Sequence, residues 1–340
     1  KEMTKSYMKI LLITNPFLIF TFLTNAIMRG EGNTTTPMKI LVISTIINMI
    51  LDPILIQGMF GVPALGVKGA AIATVIARAM SSIMGLIYVI GNSWQYPSLD
   101  HLVPHPELLR RILKIGIPAI ITQLSIAAFS SVIISFASKF GSESIAAYGI
   151  AFRIEAIAVL PVIGISAAVI TLVGQNYGAG KIHRISAIIR KATISTSLFL
   201  FFISLFLVSD STRIIRIFSQ NPKVIDIGTH YFLYVSPGYV SHGISLIMIA
   251  ALQALDLAFT GLLLTVIRLW MVAIPASYIL SFILLNSVYG IWWALLISNV
   301  VGGILSTWVF RYRFSQLDIN RKREKIKYIP EIEELPVLTD

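Results

Sequence analysis

Residues 38–56 read MKILVISTIINMILDPILI, an apolar stretch whose only charged residues are Lys39 and Asp52. About 20 residues of this composition form a helix that crosses a hydrocarbon layer about 30 Å thick. Similar stretches recur along all 340 residues, of which 56% are hydrophobic and 13% charged. An ordinary soluble domain carries about 25% charged residues. The sequence therefore predicts an all-α polytopic membrane protein.

Hydropathy predicts nine membrane-spanning helices. They lie at residues 10–28, 38–56, 69–90, 112–136, 145–172, 191–208, 229–252, 261–284 and 290–310. An odd number of spans puts the two termini on opposite sides of the membrane. The tail after Phe310 is rich in Lys and Arg, which favours a cytoplasmic C-terminus. We thus predict a multi-pass plasma-membrane protein with a polar cytoplasmic tail at residues 314–340. The tail has a basic run at 321–323 and an acidic run at 331–334, and it is either unstructured or loosely bound to the membrane surface.

An internal repeat predicts how the helices are grouped. The segment from Met28 to Pro37 resembles that from Leu252 to Gly261, and the helix after Gly69 resembles the one after Gly290, at an offset of about 220 residues. This offset predicts a parent of about twelve helices in two six-helix lobes, related as an inverted or a parallel repeat, of which this chain holds all but about the first three. Residues 1–105 are then the second half of the N-lobe with an inter-lobe loop, and residues 106–313 the C-lobe. The alternative is a chance similarity between apolar segments.

Asp52 is the strongest candidate for a functional residue. A charged side chain within a membrane span is costly, and such residues usually serve transport or binding. Thr45 and Asn48 follow the i, i+3, i+7 spacing that puts them on the same helix face as Asp52. Pro53 removes a backbone donor, so a carbonyl one turn earlier is free to bind a hard cation such as Na⁺.

The next predicted helix repeats this one-face spacing with Thr74 and Arg78. Counting back through the short hairpin between the two helices places Thr74 within a turn or two of the depth of Asp52. Asn25 lies on the preceding helix. The alternative is that these polar side chains only hydrogen-bond between helices, an effect worth about 0.6 kcal/mol each.

Other polar residues in the predicted C-lobe are candidates for the wall of a substrate cavity. Arg153 and Glu155 are two residues apart on one helix and therefore point away from each other, so we expect Arg153 to line a cavity and Glu155 to meet another helix. Arg268 lies near the predicted start of its span, and we expect it to extend to the membrane interface. The remaining candidates for this wall are the neutral Gln123 and Gln253, together with Thr45 and Arg78 of the N-lobe.

Several other classes of protein are disfavoured. The chain has no cysteine, and the histidine pair His101 and His105 lies between prolines in a loop, which argues against a metal site. The glycine-rich segment from Gly174 to Gly180 lacks the Lys and Ser/Thr of a phosphate-binding loop, and we expect it to be a tight turn between helices. The net charge of +11 comes without a nucleic-acid-binding motif. We predict neither an enzyme nor a nucleic-acid-binding protein, and no cofactor beyond a coupling ion.

Five motifs in order along the chain resemble the multidrug and toxic compound extrusion (MATE) family. They are RGEGNT at 29–34, LDP at 51–53, GVKGAAIAT at 66–74, GIP at 116–118 and VGQNYGAG at 173–180. Each motif alone is weak, but together they cover most of the chain. The family pattern identifies the predicted spans as the fourth to the twelfth helix.

This resemblance implies an antiporter that expels amphipathic, often cationic organic compounds in exchange for Na⁺ or H⁺, by alternating access between two lobes. In the archaeal and bacterial branch, the polar residues of the ion site correspond to Asn25, Asn48, Asp52 and Thr74 here. That site also uses an aspartate on the family's first helix, which has no counterpart in this chain. Other branches carry an acidic residue on the seventh helix, where Gln123 and its neighbours supply none. The expected partners are small organic substrates and the lipid bilayer, with a monomeric protein.

Three alternatives stay open. A lipid-linked oligosaccharide flippase of the same superfamily would need a strongly cationic cavity, to which Arg78, Arg153 and Arg268 would contribute. An intramembrane enzyme would need a converging nucleophile and base or a metal set, and the sequence presents none. A channel would conduct ions without exchanging substrate.

Overall fold

The computed structural model describes residues 12, 14–92 and 106–327, with side chains as far as Leu317. The predictions for the histidine pair His101 and His105, for the inter-lobe loop at 93–105 and for the acidic run at 331–334 lie outside these residues. The described part is helical, and no strand occurs in it. Its α-helices are α1 (Asn15–Gly30), α2 (Thr35–Gln57), α3 (Val67–Asn92), α4 (Pro106–Ser138), α5 (Ser142–Gly178), α6 (Ile182–Phe218), α7 (Pro222–Val235), α8 (Tyr239–Ala254), α9 (Ala258–Val266), α10 (Ile274–Tyr278) and α11 (Tyr289–Lys327).

Three of these helices, α7, α9 and α10, end inside a membrane span. A 3₁₀ turn at Ser236–Gly238 joins α7 to α8, and π-helical turns at Ile267–Ala273 and Ile279–Leu284 continue α9 and α10. These joined segments form the single spans Pro222–Ala254 and Ala258–Leu284. π-Helical turns are rare and are often found at functional sites.

Eight spans in the described residues are long and apolar enough to cross a membrane. They correspond one to one to the last eight predicted spans, so the all-α polytopic fold is confirmed. The first predicted span, 10–28, begins in residues that the structure does not describe, and α1 covers the rest with 16 residues. Many large apolar side chains on these helices are exposed, including Met49 at 76% and Ile87 at 66%. Such faces are stable in lipid but not in water.

The chain forms two compact units, Lys1–Leu108 and Leu109–Asp340. In the first unit, α3 packs against both α1 and α2. Small residues permit these close approaches: a side chain on Gly69 would meet the backbone of Leu55, and one on Gly85 would meet the side chain of Thr24. Close packing at small residues is the usual way in which membrane helices associate.

Two apolar clusters form the core of the second unit. One contains Tyr148, Tyr231 and Trp292, and the rings of Tyr148 and Trp292 stack with centroids 5.8 Å apart. The other contains Ile185, Leu252 and residues of α5 and α11. Buried polar residues lie among these helices, and several of them form the polar cluster described below.

Two predicted boundaries need correction. The last span was predicted to end at residue 310 with an unstructured or loosely surface-bound tail from 314, but α11 continues without a break to Lys327. The segment from Gly174 to Gly180 was expected to be a turn between helices, but α5 extends through Gly178 and only the last residues turn. In both places hydropathy marked the apolar part of the helix, while backbone hydrogen bonding continues into a polar part.

The predicted orientation gives a direct test, because the chain has no native cysteine. Lys139 follows α4 and Lys181 precedes α6, so α5 separates them by one membrane crossing. With a cytoplasmic C-terminus, Lys139→Cys should react with a membrane-impermeant maleimide in intact cells, and Lys181→Cys should react only after permeabilisation. The opposite labelling pattern would reverse the orientation.

Candidate functional site

Asp52 lies in the last two turns of α2, immediately before Pro53 in the same helix. Its side chain is half-buried. The Asn48 Nδ2 donates to Asp52 Oδ1 over 3.5 Å, a long and weak hydrogen bond between side chains one helical turn apart. No other hydrogen bond or ion pair to the Asp52 carboxylate occurs among the described residues. The carboxylate therefore has acceptor capacity to spare within a membrane span.

Two close contacts between α2 and α3 fix the position of Thr74 along the helix axes relative to Asp52. Leu55 faces Gly69 at one point, and the Ser44 hydroxyl donates to the Ala77 carbonyl over 2.9 Å at another. Because α2 and α3 run antiparallel between these contacts, Asp52 lies level with the start of the second turn of α3, within about one turn of Thr74. The Thr74 hydroxyl donates to the Ala70 carbonyl over 2.9 Å and keeps its lone pairs for a further partner.

Asn25 and Arg78 differ in their hydrogen bonding. The Asn25 Oδ1 is buried and has no hydrogen-bond partner in the part of the chain that the structure describes. The Arg78 Nη1 donates to the Thr14 Oγ1 over 2.9 Å, which joins α3 to the residue that precedes α1. An unsatisfied buried amide oxygen is uncommon, because it costs about 1–3 kcal/mol.

No hydrogen bond joins the other predicted cavity residues to one another in the described part of either unit. Thr45 is exposed and donates to the Leu41 carbonyl of its own helix. Gln123 and Arg153 are exposed on α4 and α5, and Gln253 is half-buried near the end of α8. These four residues remain predictions as substrate contacts.

A polar cluster in the second unit, here called the C-lobe cluster, contains Glu155, Tyr231, Tyr239, His242, Arg268 and Asn299. The Tyr231 hydroxyl donates to the Glu155 carboxylate, which confirms that Glu155 meets another helix. The Tyr239 hydroxyl is buried near this carboxylate and makes no hydrogen bond within the described residues. Arg268 is also near Glu155, but the two side chains make no ion pair within 4.0 Å.

The expectation that Arg268 extends to the interface is wrong. The Arg268 Nη1 donates to the Asn299 Oδ1 over 2.8 Å and lies 3.0 Å from the His242 Nδ1, inside the helix bundle. The side chain packs against Gly302, where a β-carbon would collide with it. Arg268 belongs to the first π-helical turn, so the span begins earlier than hydropathy indicated and places the guanidinium deep in the unit.

Hydropathy and spacing did not single out Tyr231, His242 or Asn299. The available signal was the density of tyrosine and histidine from 230 to 242, within an otherwise apolar span, and one amide at Asn299. Neither signal shows which helices meet, because the hydrogen-bond partners of Arg268 are 26 and 31 residues away along the sequence, on other helices.

The Tyr231 hydrogen bond leads to a stability prediction. Tyr231→Phe removes a donor to a carboxylate in the membrane interior, so we expect a loss of about 1–3 kcal/mol and a lower melting temperature in detergent. Tyr234→Phe is the matched control, because Tyr234 is one turn away on α7 and its hydroxyl makes no hydrogen bond in the described part of the chain. Equal melting temperatures for the two variants would contradict the role of the Tyr231 hydroxyl.

The RGEGNT motif at 29–34 closes the hairpin between α1 and α2. The Asn33 Oδ1 accepts the Thr36 backbone N–H over 3.0 Å and so caps the start of α2. The Asn33 Nδ2 donates to the Tyr88 hydroxyl of α3 over 2.6 Å. Gly32 has φ of +88°, which a residue with a side chain rarely adopts. The motif therefore has a structural role that ties the three helices of the unit together.

These features define a polytopic α-helical membrane protein. Its first unit has polar groups with few hydrogen-bond partners among the described residues, and its second unit has a hydrogen-bonded polar cluster. A family profile described as MatE matches residues 1–54 and 118–279. The chain belongs to the MatE family, as its motifs predicted. It is thus a member of a family of membrane transporters rather than enzymes, which is consistent with the plasma-membrane location predicted from the sequence.

Individual relatives agree with this assignment. The chain is 27% identical over 297 residues to the probable multidrug resistance protein YoeA of Bacillus subtilis, covering 86% of this chain and 64% of YoeA. It is 28% identical over 320 residues to the multidrug export protein MepA of Staphylococcus haemolyticus, covering 94% of this chain and 69% of MepA. The fold matches a MOP superfamily transporter from Pyrococcus furiosus with a TM-score of 0.85 at 23% identity, covering 92% of this chain and 70% of that structure. The chain thus spans about two thirds of the length of these relatives.

Proposed function

We propose that the protein is a cation-coupled antiporter that exports amphipathic organic cations by alternating access. The family and the names of its relatives as multidrug resistance and export proteins support this class of substrate. The coupling ion is Na⁺ or H⁺, and no other cofactor is proposed. The proposed unit of function is a monomer in the lipid bilayer.

The observation that carries the proposal is the weakly bonded Asp52 carboxylate within a membrane span. Its single hydrogen bond in the described structure is the 3.5 Å contact from Asn48. A carboxylate in a span costs several kcal/mol unless a cation or a proton neutralises it. An antiporter needs this property, because the site must be occupied by the ion in one state and released in another.

The neighbouring oxygens favour a hard cation as well as a proton. Na⁺ is a hard cation like Ca²⁺, which takes carboxylate, amide, hydroxyl and backbone carbonyl oxygens as ligands. Asp52, Asn48 and Thr74 supply the first three types at similar depth, and Pro53 leaves a carbonyl of α2 without its usual donor. Asn25, whose Oδ1 has no hydrogen-bond partner among the described residues, is the further candidate on α1.

The flippase alternative needs arginines whose guanidinium donors face a cavity, and the hydrogen bonding of Arg78 and Arg268 gives it less support. Arg78 is bonded to Thr14, and Arg268 is bonded within the C-lobe cluster, so both donate to groups inside their own units. Arg153 is the one of the three that is exposed. We therefore favour export of organic cations over transfer of an anionic lipid-linked sugar.

The test is ion-driven export by full-length protein in proteoliposomes. Efflux of a fluorescent organic cation such as ethidium should follow an imposed inward H⁺ or Na⁺ gradient and should stop when that gradient is collapsed. Imposing the two gradients separately identifies the coupling ion. Ion flux that persists without any exported compound would indicate a channel, and export of lipid-linked sugar but not of ethidium would indicate a flippase.

A further inference from the structure

We infer that the second unit has a binding site for one anionic phospholipid in a groove between α6, α8 and α11. The groove encloses about 550 Å³ and lies at the start of α6 and towards the end of α11. This volume falls within the range of about 300–1,000 Å³ that is typical of ligand sites. The groove shares no residue with the proposed ion site or with the C-lobe cluster, and it does not depend on which compound the protein transports.

The two walls of the groove have matching patterns. One wall is a single face of α6, with Ser186, Ile189, Arg190, Thr193 and Ile194 at i, i+3, i+4, i+7 and i+8. The other is a single face of α11 with the same spacing: Thr307, Phe310, Arg311, Phe314 and Ser315. Each wall thus presents one arginine among hydroxyl and apolar side chains.

The floor of the groove is apolar. Ile244 and Met248 of α8 close it, and Met248 is only 5% exposed. The rings of Phe310 and Phe314 stack with centroids 5.5 Å apart on the α11 wall. Apolar and aromatic side chains of this kind on membrane helices suit the acyl chain of a lipid.

The charge of the groove selects an anionic headgroup. Arg190 and Arg311 are exposed, and neither makes an ion pair among the described residues. No Asp or Glu lines the groove in the described part of the chain, so its two positive charges are not balanced locally. The Thr193 Oγ1 is buried on the α6 wall without a hydrogen-bond partner in the same part. Arginine binds phosphate oxygens through paired N–H donors, and a phosphate diester would therefore complement both walls.

The position along the helices fits a lipid of the inner leaflet. The groove lies at the end of α11 that the sequence predicts to be cytoplasmic, and anionic lipids are enriched in that leaflet. Basic pockets between helices on this side are known to bind anionic headgroups. The occupant is therefore an anionic phospholipid, with its phosphate between Arg190 and Arg311 and an acyl chain over Met248.

The test is native mass spectrometry of the full-length protein in detergent with phosphatidylglycerol or phosphatidylcholine. The double variant Arg190→Gln/Arg311→Gln should bind phosphatidylglycerol about 10- to 30-fold more weakly, since each basic residue near an anionic lipid contributes about 1 kcal/mol. Arg184→Gln/Arg313→Gln is the matched control, because it removes the same charge from the same two helices outside the groove. This control should bind phosphatidylglycerol as the unsubstituted protein does.

A second variant tests the apolar part of the site. Ile194 is 59% exposed at the edge of the groove, so Ile194→Trp should fill the groove without disturbing the core and should weaken phosphatidylglycerol binding while both arginines remain. This variant carries the test if the arginine double variant does not fold. Equal losses in the two arginine double variants, or equal binding of phosphatidylcholine, would overturn the inference. Displacement of the bound lipid by inorganic phosphate at constant ionic strength would show a free-phosphate site instead and would overturn the assignment to lipid.

Discussion

Asp52→Asn in the full-length protein is expected to reduce ion-driven export of an organic cation to the level of liposomes without protein. Asparagine has nearly the same volume as aspartate and keeps one oxygen to accept from Asn48. It cannot take up a proton or supply the negative charge that holds Na⁺. Folding and membrane insertion should therefore survive while coupling is lost.

The measurement pairs transport with stability. Export of ethidium from proteoliposomes is followed under imposed H⁺ and Na⁺ gradients, and the melting temperature is measured on the same preparation. Asp226→Asn is the matched control, because Asp226 carries the same charge at an exposed position on α7, where it accepts from the Tyr289 hydroxyl. Unchanged export by well-folded Asp52→Asn protein would end the proposal that Asp52 is the coupling carboxylate. If Asp52 only joined helices, the substitution would change the melting temperature more than the coupling.

The second large effect is expected from Gly303→Leu on α11. A β-carbon at this glycine would lie 2.8 Å from the Ser241 carbonyl oxygen and 3.1 Å from the Ser241 Cα, so it would meet the backbone of α8. Backbone atoms cannot rotate away as the end of a side chain can. Overpacking a well-packed interior costs about 1–3 kcal/mol and sometimes more, and we expect a value at or above the top of this range.

Thermal unfolding in detergent and size-exclusion chromatography measure this effect. The control is Gly164→Leu on α5, because Gly164 is also inside a membrane helix, but a β-carbon there would have no atom of another described helix within 4 Å. The control should keep the melting temperature of the parent protein within a few degrees, and Gly303→Leu should melt much lower or fail to fold. Similar behaviour of the two variants would contradict the close approach of α8 and α11.

The C-lobe cluster shows why part of the site could not be predicted. Hydropathy located the span that contains Arg268, but it gave no information on the 3.0 Å approach to His242 or the 2.8 Å hydrogen bond to Asn299. These partners lie on other helices, and their meeting depends on packing at Gly302. The sequence therefore favoured the interface as the place for this arginine, since an unpaired charge would be costly in the membrane interior.

The N-lobe candidates show the opposite case. Asn48 and Asp52 are one turn apart on the same helix, so helical periodicity alone predicted their contact. The short hairpin between α2 and α3 also fixed the depth of Thr74, because a short connection leaves little freedom in register. Whether these residues bind the coupling ion remains a proposal.

The sequence by itself determined that the protein lies in a membrane, where its eight described spans are, and to which family it belongs. These properties depend on the order of apolar segments and short motifs along the chain. It also determined which polar residues share a helix face, since that follows from 3.6 residues per turn. The tertiary structure alone decided that Arg268 is inside the unit, that Glu155 accepts from Tyr231, and that Arg190 and Arg311 face one groove. Each of these facts joins residues on different helices, and the approach of two helices is set by the small side chains between them, not by the hydropathy of either one.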